Sequence, residues 1–424
     1  PAASAYRVLE FYTETPGRSR RCTPVGYARR TGQVTRSPRR PSHQAAMGTV
    51  LQLSLLAVAA AQLLHGAPRI IVLAVGLAGM FLPQLVLGLG KARHPRGAWI
   101  YFLLLVDVGA LQSISTADEW PLLTALALAA ALWLFLSITP RLVAGISARM
   151  ATLTLGLFLA STAYAVVNVG YIEAVRSSAP PLALAVMVIT GLACGRTRVL
   201  LTGAGLFVLL VLVWNSRAEA LALFAYLATY TFLRSRGGLR KALSVALGVS
   251  VVALLVLSDY WAAALKLHDA YRGVGSGLTG RVTGFQYSAE LIAERPLLGV
   301  GYRRQELYFE DAGFWVGRVE YPISSSHNGL LGILIEWGIL GSLILLAPIM
   351  ARARTIRESV RDSNALPVVV SFLAFIMFER YYINFGNLYS IIMIGLVVFW
   401  MRLEHDSRSP QPVGHLASRR ESPV

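Results

Sequence analysis

Several residues of this chain have the type and setting to act on an anionic substrate. Arg217 lies in WNSRAEA, Arg281 heads RVTGFQYSAE, Arg303 and Arg304 follow in GYRRQE, and Arg380 lies in FERYYINFGN. A guanidinium at a helix end beside a bilayer makes charge-assisted, bidentate contacts with a phosphate. The same group also snorkels to lipid head groups, or pairs with an acid such as Glu219, Glu290 or Glu379. His327 and Asn328, in SSSHNGLLGILIEWGILG, stand where polar residues give way to an apolar run. An imidazole there is either a general acid or base near neutral pH or an interfacial anchor. Glu336 lies inside that run, roughly 13 Å beyond His327 at helical rise. An intramembrane carboxylate is a functional candidate by default, or a partner for neighbouring polar groups.

The elements that carry these residues follow from composition. Of 424 residues, 55% are apolar and 14% charged, with a mean hydropathy of +0.57. Soluble chains carry about a quarter charged residues, so this balance excludes both a soluble globular protein and a disordered one. It predicts an all-α polytopic membrane protein. A crossing helix needs about 20 apolar residues. The candidate cores are 50–64, 70–90, 98–114, 121–138, 150–169, 180–195, 199–214, 220–233, 242–257, 328–349, 365–378 and 387–401, about twelve spans. With the N-terminus inside, the inner connections carry fifteen basic residues and the short outer ones four. The positive-inside rule then places the 258–326 segment outside as one large extracytoplasmic loop.

The net charge of +17 is uneven, with nine arginines and two acids in residues 1–46. That stretch reads as a disordered cytoplasmic tail, a targeting peptide, or upstream sequence included by an incorrect start; the last is the expectation. The remaining basic residues cluster between apolar runs, which points to membrane topology rather than nucleic acid. The expected organisation is therefore a tail over 1–46, spans one to nine over 47–257, the loop over 258–326, spans ten to twelve over 327–401, and a cytoplasmic tail over 402–424. Cys22 and Cys194 have neither disulfide nor metal spacing, and no metal site is expected. Within the loop, a helix is predicted near 280–294, with Arg281, Phe285 and Ser288 on one face. Pro296 and the glycines of PLLGVGY end it. Gly299 and Gly301 follow no strand and are read as a tight turn at the membrane surface, not as a nucleotide fingerprint.

Taken in order, NSRA at 215–218, the Arg281-led helix running into AERPLLGVGY, SHNG at 326–329 and EWGILG at 336–341 resemble the O-antigen ligase and O-antigen polymerase superfamily. The resemblance covers roughly residues 200–400. Phe285 stands where many relatives have Trp, and Gly329-Leu330 follow His-Asn where an aromatic is common. The resemblance implies a metal-independent, cofactor-free glycosyltransferase of the C type, at the periplasmic face of the bacterial inner membrane. Its donor would be a glycan on undecaprenyl diphosphate, and its acceptor a saccharide or lipid A-core hydroxyl, glycosylated with inversion. It implies that Arg217 and Arg281 stabilise the diphosphate. His327 would act on the acceptor hydroxyl or on the leaving group, and Arg303, Arg304, Glu290 and Asn328 would contact substrate. The competing reading is a twelve-span, proton-coupled secondary transporter using Asp107, Glu336 or Glu379. Such folds show internal repeats, and none is evident in the sequence.

Overall fold

A chain crossing lipid must satisfy every backbone N–H and C=O internally, and apolar segments do so by forming helices. The computed structural model describes residues 41–88, 98–175, 178–214, 216–234, 281–312, 315–316, 321–322, 325–362, 365–379 and 383–408, with Gly238 and Ala242. The helices of the first half are α1 Pro41–Gln62, α2 Gly66–Gly88, α3 Ala98–Thr116, α4 Trp120–Gly145, α5 Ala148–Val167, α6 Val169–Val175, α7 Ala179–Ala193, α8 Arg196–Leu212 and α9 Arg217–Arg234. The second half contains α10 Arg281–Glu294, α11 Gln305–Asp311, α12 Gly329–Ala351, α13 Ala353–Asp362, α14 Leu366–Ile376 and α15 Leu388–Arg408.

Eleven of the twelve apolar cores fall on these helices. The twelfth, 242–257, lies outside the described residues apart from Ala242, as do 1–40, 258–280 and 409–424. By length and composition, Trp99–Thr116, Ala148–Val167 and Gly329–Ala351 can each cross a membrane, and six shorter apolar helices accompany them. The all-α expectation needs one addition. Trp315–Val316 (β1) and Tyr321–Pro322 (β2) pair as a short antiparallel ladder inside the 258–326 segment. Helix α1 also begins at Pro41, within the stretch assigned to the N-terminal tail.

Helix α7 is apolar all round, and residues Ala179–Gly191 are buried throughout, as expected of a helix surrounded by others. It packs against α5, α8, α9 and α15. Helix–helix approach relies on small residues, as is usual where lipid supplies no hydrophobic drive. Gly76 and Gly79 of α2 face Ser54 and Val58 of α1, Gly109 of α3 faces Ala125 of α4, and Gly191 of α7 lies against the Tyr226 hydroxyl of α9. Tyr226 is fully buried, so it cannot swing away. Gly191→Ala is expected to destabilise the bundle by about 1–3 kcal/mol, seen as a lower midpoint of thermal unfolding in detergent.

The feature that shapes the site is a break in α12. At Gly338 the backbone leaves the helix (φ 60°, ψ −170°). In an unbroken helix the Ile339 and Leu340 N–H groups would donate to the Ile335 and Glu336 carbonyls. Here those four groups turn to the PLLGVG segment. Val300 N–H donates to Ile335 O at 2.8 Å and Gly301 N–H to Glu336 O at 2.9 Å; Ile339 N–H donates to Pro296 O at 2.8 Å and Leu340 N–H to Leu297 O at 3.0 Å. Gln112 of α3 completes the junction, its amide donating to Glu336 O at 2.8 Å and to Leu298 O. Leu291, Val300, Phe309 and Ile335 form a small core beneath it. The Gly299–Gly301 turn is thus no surface turn. It reaches about 10 Å down α12 from Gly329, because only an exposed pair of helix carbonyls gives its N–H groups a partner.

Candidate active site

Asn328 starts α12. Its Oδ1 accepts from the Leu330 and Leu331 N–H groups at 2.9 and 3.1 Å, the usual N-cap geometry. Its Nδ2 donates to Met377 O, at the end of α14, at 3.1 Å. Asn328 is buried and engaged at both ends, so its amide ties the mouth of α12 to α14. Asn328→Ala is expected to lower stability by about 1–2 kcal/mol. Asn328→Asp, which keeps the acceptor and loses the donor, should fall between it and wild type in thermal unfolding in detergent.

His327 precedes this cap with φ 47°. A left-handed non-glycine residue is uncommon, although histidine tolerates it better than most. Among the described residues, the other two are Ala117 (φ 51°) and Arg303 (φ 62°). All three lie in connected segments. Ala117 precedes Asp118, which pairs with Arg304, and Arg304 precedes Gln305, which bonds Ser326 next to His327. Backbone strain gathered in one place marks a site whose geometry the surroundings enforce.

A buried polar chain runs beneath His327. Ser326 Oγ donates to Gln305 Oε1 at 3.2 Å, and Gln305 Nε2 donates to Glu336 Oε1 at 2.9 Å. Ser326 N–H lies 3.5 Å from Gln305 Oε1. A backbone N–H can only donate, so the amide oxygen faces Ser326 and the amide nitrogen faces the carboxylate. Gln305, Ser326 and Glu336 are at most 3% exposed. Glu336 is therefore held within the protein by Gln305. Beside this chain, the Tyr302 hydroxyl donates to Ile383 O at 2.9 Å, bringing the segment after α14 to the same place. Tyr287 of α10 donates to Tyr308 O at 2.9 Å and meets Phe309 edge-on, at 4.9 Å between ring centroids. Its phenol is pushed above the ordinary tyrosine range, first by burial and then by the carboxylates of Glu294, Asp311 and Glu290.

The other expected site residues are placed as follows. Arg217 is the exposed first residue of α9, and α9 packs along α14. Three residues before Glu219, Ser216 bonds that buried carboxylate. Arg281 is the first residue of α10; its side chain lies outside the described residues. Glu290 is exposed on α10, Arg303 is exposed, and Arg304 pairs with Asp118. The contacts between described residues thus join Arg304, Gln305, Ser326, His327, Asn328 and Glu336 into one cluster. Arg217 stands at the start of α9, and Arg281 and Glu290 stand on α10. Asp107 is exposed on α3, and Glu379 is half-buried behind α14. No three His, Cys, Asp or Glu side chains among the described residues are grouped to hold a metal ion.

Gln112, Gln305, Ser326, Asp118 and Gly338 were not singled out from the sequence. The one signal available was polarity out of place, in the form of a lone Gln112 within the apolar run VDVGALQ.

Residues 183–346 match a family model described as O-antigen ligase. Over that segment the chain is similar to O-antigen ligases. No curated protein and no solved structure matches. The matched segment begins in α7, ends in α12 beyond its break, and contains Arg217, Arg281, Arg304, Gln305, His327 and Glu336. In this membrane protein the family match and the buried polar cluster therefore coincide along the chain.

Proposed function

We propose that the protein is a membrane glycosyltransferase of the O-antigen ligase type. It moves a glycan from an undecaprenyl-diphosphate carrier to a hydroxyl acceptor, a saccharide or lipid A-core, at the periplasmic face of the inner membrane. The observation that carries this reading is the family match over residues 183–346, which encloses all three groups the chemistry needs. The acceptor oxygen attacks the anomeric carbon, the bond to the diphosphate breaks with inversion, and the acceptor proton passes to His327. Negative charge then grows on the diphosphate, and fixed cations placed where charge develops lower that barrier. Arg217 and Arg281, each heading a helix, fill that role without a divalent metal. Arg303, Arg304 and Glu290 lie on the segment that would meet the sugars. The twelve-crossing, C-type architecture supplies the outward-facing cleft, with the strained His327 at the mouth of α12.

The test is transfer by purified protein in nanodiscs, given a lipid-linked glycan and an acceptor, with release of undecaprenyl diphosphate. Transfer that survives EDTA is expected. Proton-coupled solute flux in proteoliposomes with no glycan transfer would overturn the reading in favour of a transporter. As a base, His327 makes the rate rise with pH as the imidazole loses its proton; a rate that rises on acidification assigns it instead to the leaving group.

A further inference from the structure

Glu336 and Gln305 have no direct part in the proposed chemistry, yet they form the buried end of the polar chain that reaches His327. We propose that Glu336 is a positioning residue, which through Gln305 and Ser326 holds His327 in its left-handed conformation. The mechanical side of this inference is independent of the reaction; its kinetic consequence rests on the glycosyltransferase reading.

The argument is geometric. The break at Gly338 and the inserted PLLGVG segment fix the Glu336 backbone from both sides, with its carbonyl accepting from Gly301 N–H and from Gln112. Its carboxylate accepts from Gln305 Nε2. That bond fixes the orientation of the Gln305 amide, whose oxygen takes the Ser326 hydroxyl. The same hydroxyl lies 3.0 Å from Asn328 O, so its one proton is shared between the Gln305 amide oxygen and the backbone on the far side of His327, and Ser326 and Asn328 are tied together across that residue. The residue between two such anchors keeps φ 47° because relaxing it would break buried hydrogen bonds, each worth about 1 kcal/mol. Rigid second-layer bonds of this kind keep a reacting group within about 0.5 Å of its working position.

Glu336→Gln keeps an acceptor oxygen toward Gln305 and should retain transfer within about threefold, which a proton carrier would not. Gln305→Leu should lower kcat by roughly 100-fold with little change in KM for the lipid-linked donor, and Ser326→Ala should do the same to a smaller degree. Combining Gln305→Leu with His327→Ala should cost no more than His327→Ala alone, because both act through one side chain. Hydrogen exchange in nanodiscs supplies a readout that needs no activity. Amides of the 325–328 stretch should exchange about tenfold faster in Gln305→Leu, while those of α7 stay unchanged. Unchanged exchange at 325–328 in Gln305→Leu, or a loss of activity confined to KM, overturns the proposal. Accelerated exchange in Gln305→Leu beside a wild-type protein that transfers no glycan leaves the positioning role standing and retires the glycosyltransferase reading.

Discussion

His327→Ala is expected to lower glycan transfer by about three orders of magnitude, with the protein still inserted and folded. Removing a general base costs typically 10²–10⁴-fold. The cap that starts α12 belongs to Asn328, whose bonds to Leu330, Leu331 and Met377 do not involve the imidazole. Alanine also accepts the φ of 47° poorly, so His327→Gly is the companion variant: it relieves the backbone and is equally inactive. Arg217→Ala and Arg281→Ala are expected to be as severe, because in the proposed mechanism each would remove a cation from the leaving diphosphate. The measurement is single-turnover transfer by purified variants in nanodiscs, normalised to folded protein. Wild-type rates in all three would end the glycosyltransferase assignment.

Gly338→Val or Gly299→Val should prevent accumulation of folded protein, and the alanine variants should each cost at least about 3 kcal/mol. Both glycines have positive φ, 60° and 71°, a conformation costing an L residue about 1–2 kcal/mol. They also face each other. A Cβ on Gly299 would lie 2.5 Å from Ile335 O and 2.6 Å from Gly338 N, and one on Gly338 would press into the Leu297 carbonyl. The atoms met are backbone, which cannot rotate away. Opening this junction would leave the buried carbonyls of Ile335 and Glu336 without their partners, each at a cost of about 1–3 kcal/mol, and would release the N–H groups of Ile339 and Leu340. Membrane-fraction yield and thermal unfolding in detergent check this. Gly48→Ala, where a Cβ meets nothing within 4 Å, serves as the control and should behave as wild type.

A helix around Arg281 and a helix opened by His327-Asn328 were both legible from local signals, and the structure forms α10 and α12 there. Such signals are short-range: apolar runs of crossing length, a proline and glycines after Glu294, an asparagine ahead of a hydrophobic segment. The EWGILG glycine gave no such warning, since a glycine in an apolar helix is compatible with an unbroken one. That Gly338 breaks the helix becomes visible only when PLLGVG, some forty residues upstream, is laid against it. The polar residues divide in the same way. Glu336 announces itself as a charge in an apolar run, whereas Gln305 reads as an ordinary loop residue until its two ends are seen bonded to Glu336 and Ser326.

What the chain alone determined, then, is a membrane-embedded helical protein with an ordered set of basic and imidazole groups resembling one family. Hydropathy and charge distribution act residue by residue, and motif order needs no folding. What the tertiary structure decided is how that site is held: the break in α12, the segment that fills it, and the buried chain from Glu336 to the edge of His327. These depend on hydrogen-bonding groups that are equivalent along any backbone, and only packing chooses which of them meet.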